Sequence, residues 1–205
     1  MRETTDALRG YLRKDAGSTS PKLVVMLRMD SAGLRVGTWT IDSAHSRVGF
    51  SVRHLMVATV HGRFTDFDGT LTVGERGLTS AAGLVRAASV ATDEPKRDER
   101  LRGPSFFDTG RYPLIPFRTR RVERAGAERF RVIGDLTIKE VARPLVLEAA
   151  LLDGSEDPSR IDLAARGAIL RSHFGLSWSE VLEAAGALVS DRVEISMHIV
   201  ATRSR

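Results

Sequence analysis

Alternation of apolar and polar residues between Gly37 and Gly69 constrains the fold of this chain more than any other feature of its sequence. Successive side chains of a β-strand point to opposite faces of a sheet, so a two-residue period predicts a half-buried strand. One strand is predicted over residues 47–54, and a second folds back on it. The inward-facing residues of the first are Val48, Phe50, Val52 and His54, and those of the second are Val60, Gly62 and Phe64.

The apolar parity switches after Phe64. Phe67, Gly69, Leu71 and Val73 continue the alternation on the opposite parity. One inserted residue near Asp66 would account for the switch, and the usual device for such an insertion is a β-bulge. We therefore predict a bulge between two segments that both turn their apolar side chains toward one face.

Six further alternating segments follow. They cover residues 81–92, 114–122, 129–139, 145–152, 161–169 and 187–202. The charged segment 93–103 has a proline where the first turn of a helix would lie, and it predicts a short helix capped by Thr92 or Asp93. A second short helical piece is predicted within residues 173–186. Pro116 has no N–H to donate, so its strand is predicted to be irregular or at an edge there.

About eight antiparallel strands of roughly ten residues each fit either a closed barrel or a two-sheet sandwich. Strand length favours the barrel, because about ten residues tilted by ~40° make a wall about 25 Å tall. The interior of an eight-stranded barrel is either filled by side chains or holds one small ligand. Small inward residues such as Gly62 and Gly134 would leave room for an apolar ligand. They would equally ease the coiling of the strands around a filled centre, so both interpretations stay open.

Charge and composition narrow the classes of function. The net charge is +5, but residues 1–28 alone hold six basic and three acidic residues, and the rest of the chain carries only +2. A nucleic-acid-binding surface would need clustered basic residues with aromatic residues between them, so we predict no nucleic-acid partner. The absence of cysteine excludes disulfides, thiolate metal sites and a cysteine nucleophile.

Two regions are predicted along the chain. Residues 1–36 are expected to form a disordered or weakly docked tail, and residues 37–205 to form the barrel. No apolar stretch approaches the ~20 residues that span a bilayer as a helix. The run from Leu23 to Leu27 is shorter than the ~7–15 apolar residues of a secretory signal. We therefore expect a cytoplasmic protein without a transmembrane segment.

The sequence holds no recognisable catalytic motif. Its five histidines are dispersed, whereas a zinc site needs three or four converging ligands. Neither a Gly-x-Ser-x-Gly elbow nor His-Glu-x-x-His occurs, and the glycine patterns of nucleotide-binding loops are absent. His54 has the inward parity, which predicts either a hydrogen-bonded core histidine or a polar contact for a ligand. We expect no enzyme, no catalytic residue, no bound metal and no required cofactor.

An ordered set of short motifs resembles the YceI-like family of polyisoprenoid-binding, lipocalin-like barrels. The set begins with WTIDSAHS at residues 39–46, VGFSVRHL at 48–55 and VHGRF at 60–64. Its later members are KRD at 96–98, FFD at 106–108, YP at 112–113, GDLTI at 134–138, RP at 143–144 and FGL at 174–176. The resemblance covers about residues 37–203, in order and at natural spacing.

The resemblance implies an all-β fold, an eight-stranded antiparallel lipocalin-like barrel with one or two short helices in its connections. It also implies a ligand, an isoprenoid lipid or an isoprenoid-tailed quinone, held in an apolar cavity for transport or storage. Among the residues expected to contact it, His54 is the predicted polar contact. Inward parity and aromatic content select the others, which are Phe50, Val52, Leu55, Met56, Phe64, Phe67, Phe107, Phe117, Phe174 and Trp178.

Two other functions fit the same residues. A redox or stress-response enzyme or partner acting on a bound quinone would need a titratable group such as His54 beside the head group. A module that binds nucleic acid through the basic tail would lose affinity steeply with salt. Members of the family are often dimers, so a homodimer is also open. Arg100 and His173 stand where the family usually has a histidine and often an acidic residue, which leaves the head-group preference open.

Overall fold

The computed structural model describes residues 34–54, 58–152, 159–176 and 189–203, which form an antiparallel β-structure. Within these ranges the strands are β1 (Gly37–Ile41), β2 (Arg47–His54), β3 (Ala58–Phe64), β4 (Phe67–Gly74), β5 (Gly77–Arg86), β6 (Val90–Ala91), β7 (Leu114–Arg124), β8 (Arg129–Ile138), β9 (Val141–Leu151), β10 (Arg160–Leu170) and β11 (Val189–Arg203). The other elements are the helix α1 (Pro95–Arg102) and two short 3-10 turns, Ala87–Ser89 and Arg171–Phe174.

These strand segments form eight barrel strands, because three barrel strands are interrupted along their length. β1 with β2, β3 with β4, and β5 with β6 each make one bent barrel strand. The order then runs through β7, β8, β9 and β10 to β11, which pairs with both β1 and β2 and closes the barrel. The predicted eight-stranded antiparallel barrel is confirmed, and the sandwich is excluded.

The change of parity after Phe64 is an interruption of the strand rather than a bulge within it. β3 ends at Phe64 and β4 begins at Phe67, and both phenylalanines face the interior. The two residues between them bond to the neighbouring segment. The N–H of Thr65 donates to the carbonyl of Ser89 (3.2 Å), and the carbonyl of Asp66 accepts from the N–H of Arg86 (3.0 Å). The alternation of apolar residues in the sequence shows the parity switch, but it does not show which residues bond to Thr65 and Asp66.

The third predicted strand begins earlier than its alternation indicates. β5 occupies Gly77–Arg86 rather than residues 81–92, and the 3-10 turn Ala87–Ser89 ends it. Its first residues pair with β4 across a register shift, and the polar side chains there hide the two-residue period.

Pro116 lies inside β7 and pairs with β5 on one side. On the other side, the ladder between β7 and β8 begins only at the next residue, Phe117.

The cap of helix α1 lies one or two residues later than predicted. The capping residue is Glu94, whose carboxylate accepts from the N–H groups of Lys96 (3.2 Å) and Arg97 (2.7 Å), rather than Thr92 or Asp93. A carboxylate at this position satisfies helix N–H groups that have no partner within the helix. Of the second predicted helical piece, residues 173–176 lie in or next to the turn Arg171–Phe174, and the remainder lies outside the described residues.

Two clusters of buried side chains occupy opposite ends of the barrel. The end that carries the β4–β5 and β7–β8 hairpins holds the lower cluster, whose members include Trp39, Leu71, Val73, Leu78, Phe130, Val132, Ile161 and Ala201. The end that carries the β8–β9 hairpin and the turn Arg171–Phe174 holds the cap cluster, whose members are Ala87, Val90, Leu101, Phe106, Phe107, Ile115, Ile138, Phe174 and Leu176. The space between the two clusters is where a ligand site can lie.

Candidate functional site

The interior of the barrel contains a cavity of about 250 Å³ whose surface is almost wholly apolar. Its wall includes members of both the lower cluster and the cap cluster, so the cavity lies between them. Its volume is close to the lower end of the ~300–1,000 Å³ range of small-molecule sites. The middle of the barrel is therefore hollow, and only its two ends are filled by side chains.

Six of the residues predicted from the sequence to bind a ligand lie in the wall of this cavity. They are Phe50, Val52, Phe64, Phe67, Phe107 and Phe117. Phe174 is not part of the cavity wall; it lies in the cap cluster with 2% of its surface exposed. Leu55, Met56, Trp178 and the side chain of His54 lie outside the described residues. The role of all these residues in binding stays a prediction.

Much of the cavity wall is aliphatic and was not among the predicted site residues. These wall residues come from strands across the barrel and include Ala81, Val85, Val132, Leu136, Leu145, Leu147, Leu163, Ile169, Val193, Ile195 and Met197. Inward parity alone would have found those on β8 to β11, where the alternation is regular, but not those on β5. Selection by aromatic content favoured β2 to β4 and overlooked the aliphatic strands opposite.

Four phenylalanine rings form a continuous row from the wall to the cap. The ring of Phe50 lies 5.7 Å from that of Phe64, which lies 5.8 Å from that of Phe107. Phe107 in turn meets Phe106 edge to face at 5.0 Å. Tilted and edge-to-face contacts of this kind stabilise aromatic pairs beyond the area they bury. The row therefore ties the cap cluster to the wall on one side of the cavity.

Two glycines allow wall rings to lie close to the backbone. A Cβ at Gly62 would overlap the ring of Phe50, and a Cβ at Gly134 would overlap the ring of Phe117. Any larger residue at these positions would push the ring toward the centre of the barrel. These glycines therefore widen the cavity by letting aromatic rings lie flat against its wall.

Gly83 is different, because it faces open space. A Cβ at this position would meet nothing closer than the carbonyl oxygen of Asp68, at 3.9 Å. Gly83 lines the cavity between Ala81 and Val85 on the inward face of β5. The backbone of β5 itself forms this part of the wall, and a side chain introduced here would enter the cavity.

Alanine at the two kinds of glycine is expected to have opposite effects on stability. Gly62→Ala should lower the free energy of unfolding by about 1–3 kcal/mol, because the new methyl group displaces the ring of Phe50. Gly83→Ala should leave it unchanged or raise it by about 0.4–1 kcal/mol, because the methyl group enters open space and the unfolded chain loses freedom. Urea unfolding of both variants measures the difference. Equal destabilisation would contradict the assigned environments.

Two arginines reach the cavity with their stems but keep their charged groups in the cap. Arg97 donates from Nε to the hydroxyl of Thr92 (2.7 Å) and from Nη2 to its carbonyl (2.8 Å). Asp98, which is buried, accepts from the N–H and hydroxyl of the same threonine. Arg171 donates to the carbonyls of Leu176 (2.9 Å) and Val189 (3.3 Å). These bonds hold the polar atoms away from the cavity, which keeps its surface apolar.

Asp191 fixes the turn that carries Arg171. Its two carboxylate oxygens accept from the N–H (2.9 Å) and the hydroxyl (2.7 Å) of Ser172. Burial raises the pKa of the Asp191 carboxyl, but these two hydrogen bonds and the positive charge of Arg171 outweigh burial and lower the pKa below its ordinary value. The ionised carboxylate is therefore the form that the folded cap favours.

The contribution of Asp191 to stability should disappear in acid. Its pKa is lower in the folded chain than in the unfolded chain, so the stabilisation is present above the unfolded value of ~3.9 and is lost as the pH falls through the folded value. Asp191→Asn should destabilise the protein by about 1 kcal/mol at neutral pH. The difference from the wild type should shrink below about pH 4 in urea unfolding series. A pH-independent difference would show that the carboxylate charge is not involved.

The described residues hold no group of three or more histidine, cysteine, aspartate or glutamate side chains that could bind a metal ion. His45 lies 2.7 Å from Asp42, and His198 lies 3.4 Å from Asp162, on the outside of the barrel. The hydrogen bond from His45 lowers the pKa of Asp42. No helix among the described residues is long and apolar enough to cross a membrane.

A closed antiparallel barrel of eight strands around an apolar cavity defines a lipocalin-like barrel protein. The sequence model of the YceI-like domain matches residues 39–201 of this chain. The chain therefore belongs to the YceI-like family, and the predicted family membership is confirmed.

Two curated relatives show the extent of the similarity. Protein YceI of Escherichia coli O157:H7 is 34% identical over 156 residues, which cover 72% of this chain and 81% of the relative. The UPF0312 protein plu2095 of Photorhabdus laumondii is 34% identical over 120 residues, which cover 58% of this chain and 62% of the relative. The matched region thus spans less than two thirds of the Photorhabdus protein.

Two solved structures share the fold. BcnA of Burkholderia cenocepacia superposes with a TM-score of 0.71 at 24% identity, covering 79% of this chain and 99% of BcnA. A polyisoprenoid binding domain from Saccharophagus degradans superposes with a TM-score of 0.67 at 16% identity, covering 81% of this chain and 98% of that domain. At these identities the two structures show a common barrel.

Proposed function

We propose that this protein binds the hydrocarbon chain of an isoprenoid lipid, or of an isoprenoid-tailed quinone, inside the barrel and so serves in its transport or storage. The observation that carries the proposal is the cavity of about 250 Å³ with an almost wholly apolar surface. The Saccharophagus relative of the same fold is described as a polyisoprenoid binding domain, which supports the same ligand class here.

An empty apolar space of this size is unfavourable. Each cubic ångström of void in a protein core costs on the order of 24 cal/mol, so a space of this volume costs several kcal/mol when nothing fills it. A branched hydrocarbon restores the lost contacts without requiring any hydrogen bond from the wall. The apolar surface therefore favours a hydrocarbon chain over a polar metabolite.

Chain length should dominate the affinity. Each buried methylene-sized group contributes about 0.8 kcal/mol, so one isoprene unit contributes about 4 kcal/mol before the costs of ordering it. The net gain is smaller, because association and immobilisation of the ligand oppose it. Affinity should rise with each isoprene unit until the cavity is full and then level off.

Native mass spectrometry of the protein purified from its own host tests the proposal. We expect a co-purifying apolar molecule, and organic extraction followed by mass analysis should give an isoprenoid mass. The apoprotein should also take up prenols of increasing length with increasing affinity. A protein that carries no lipid and takes up no prenol on titration would overturn the proposal.

A further inference from the structure

An open groove crosses the outside of the barrel over strands β10, β11, β2 and β3. One row of paired residues forms its centre: Arg166 pairs with Ser196, Ser196 with Gly49, and Gly49 with Arg63. Paired residues share one face of a sheet, so this row points outward across four strands, about 14 Å from end to end. The small residues in the middle make a shallow floor between two arginines.

The neighbouring row adds further positive charge. Arg47 pairs with His198, and both lie two residues from the central row on the same face. Arg63 is held by Asp93 through two hydrogen bonds of 2.8 and 2.9 Å. His198 lies near Asp162. The groove thus combines a guanidinium held by Asp93 and an imidazole near Asp162 with the guanidinium groups of Arg47 and Arg166.

Arg47 and Arg166 have no acidic partner in the part of the chain that the structure describes. The hydroxyl of Ser196 likewise makes no hydrogen bond within those residues. Glu148 of β9 pairs opposite Arg166, but its carboxylate bonds to Arg131 (2.9 Å). Two guanidinium groups outside any ion pair and a free hydroxyl suit an anion, and planar guanidinium forks match the oxygens of phosphate.

The groove lies on the outer face of the strands whose inner face lines the cavity, next to the bends between β1 and β2 and between β3 and β4. The ladder between β1 and β4 ends at the pair Thr40 and Thr70, and the ladder between β2 and β3 begins at Val48 and Phe64. The residues between these pairs, at the two strand bends, do not pair with each other across the wall. Six residues line both the outer groove and the inner cavity: Val48, Gly49, Phe64, Phe67, Ala165 and Met197.

We propose that this groove binds the anionic, phosphate-bearing head group of a lipid whose hydrocarbon chain occupies the cavity, with Arg47, Arg166 and Ser196 as head-group ligands. The inference rests on the proposed function. The cavity surface offers almost no polar atoms, so a charged head group must lie outside it. The groove is a positively charged surface that shares wall residues with the cavity.

Two ligands that share one hydrocarbon chain, farnesol and farnesyl phosphate, test the inference. Wild-type protein should bind farnesyl phosphate at least about tenfold more tightly than farnesol, because charge-assisted hydrogen bonds to the phosphate are worth at least that factor. The double variant Arg47→Gln/Arg166→Gln should lose most of this preference and keep its affinity for farnesol. The matched control, Arg118→Gln/Arg129→Gln, removes two exposed arginines from β7 and β8 and should behave as the wild type.

Titration with inorganic phosphate distinguishes binding of a lipid head group from binding of a free anion at the same groove. Gly83→Phe, which places a ring in the cavity, should weaken farnesyl phosphate binding in the wild-type groove but leave any weak binding of inorganic phosphate unchanged. Equal affinity of the wild type for farnesol and farnesyl phosphate would overturn the inference while the proposed function stands. Farnesyl phosphate binding that is insensitive to Gly83→Phe would show a separate anion site and would also overturn it. If neither probe binds, the proposed function fails and the inference fails with it.

Discussion

Replacing Gly83 with phenylalanine is expected to lower the affinity for a prenyl ligand by about 30-fold or more while the barrel stays folded. The benzyl group is larger than one isoprene unit, and it would occupy cavity space that the ligand needs. Losing one buried unit removes about 4 kcal/mol of gross burial energy, and even half of that amount corresponds to about 30-fold in affinity. Because the new side chain enters open space, its own burial should offset its cost to the fold.

Fluorescence or calorimetric titration with farnesol measures this effect. Gly83→Ala is the matched control, since a methyl group takes little of the cavity and should change the affinity by no more than about threefold. Circular dichroism and urea unfolding should show that both variants keep the wild-type fold. A folded Gly83→Phe variant with unchanged affinity would place the ligand elsewhere than in the cavity.

The second large effect is expected on stability rather than on binding. Phe130→Ala should lower the free energy of unfolding by about 3–5 kcal/mol, because it removes a full aromatic ring from a close-packed site. Phe130 is only 1% exposed and lies in the lower cluster with Trp39, at the end of the barrel below the cavity. It does not line the cavity, so the affinity of the folded variant for farnesol should stay near that of the wild type.

Urea unfolding at a fixed temperature measures the loss. Phe130→Leu should give an intermediate value, because the smaller side chain still fills part of the site. Leu114→Ala is the surface control, since Leu114 is 43% exposed and its truncation should change stability by no more than about 0.5 kcal/mol. A loss below about 1 kcal/mol for Phe130→Ala would mean that the lower cluster is not the rigid closed end described above.

These two variants separate the two tasks of the barrel interior. The lower cluster is packed and contributes stability, whereas the middle is open and offers volume to a ligand. Three glycines show how close together the two environments lie. Gly62 and Gly134 are covered by the rings of Phe50 and Phe117, while Gly83 is bare. In the sequence all three are small residues within strands, and their neighbours along the chain do not distinguish them.

The sequence predicted the paired strands β2 and β3, the parity switch after Phe64 and the total of eight barrel strands. It misplaced the start of β5, because the polar residues at that end hide the alternation that the ladder with β4 enforces. It also named Phe174 among the wall or mouth residues, and Phe174 lies in the cap cluster and not in the cavity wall. Aromatic content alone does not tell a residue that lines a space from one that fills it.

What the sequence determined by itself was the periodic part of the structure: where most of the strands lie and which face of each is apolar. Strand length then favoured a barrel over a sandwich, and the pairing of β11 with both β1 and β2 decided it. A two-residue period is a local property of the chain, so it can be found without knowing any partner. Tertiary structure alone decided that the barrel is hollow in the middle and where the ladders between its strands are interrupted. Those features depend on which ring covers which glycine and on where ladders end at the bends of β1–β2 and β3–β4, and such contacts join residues far apart in the chain.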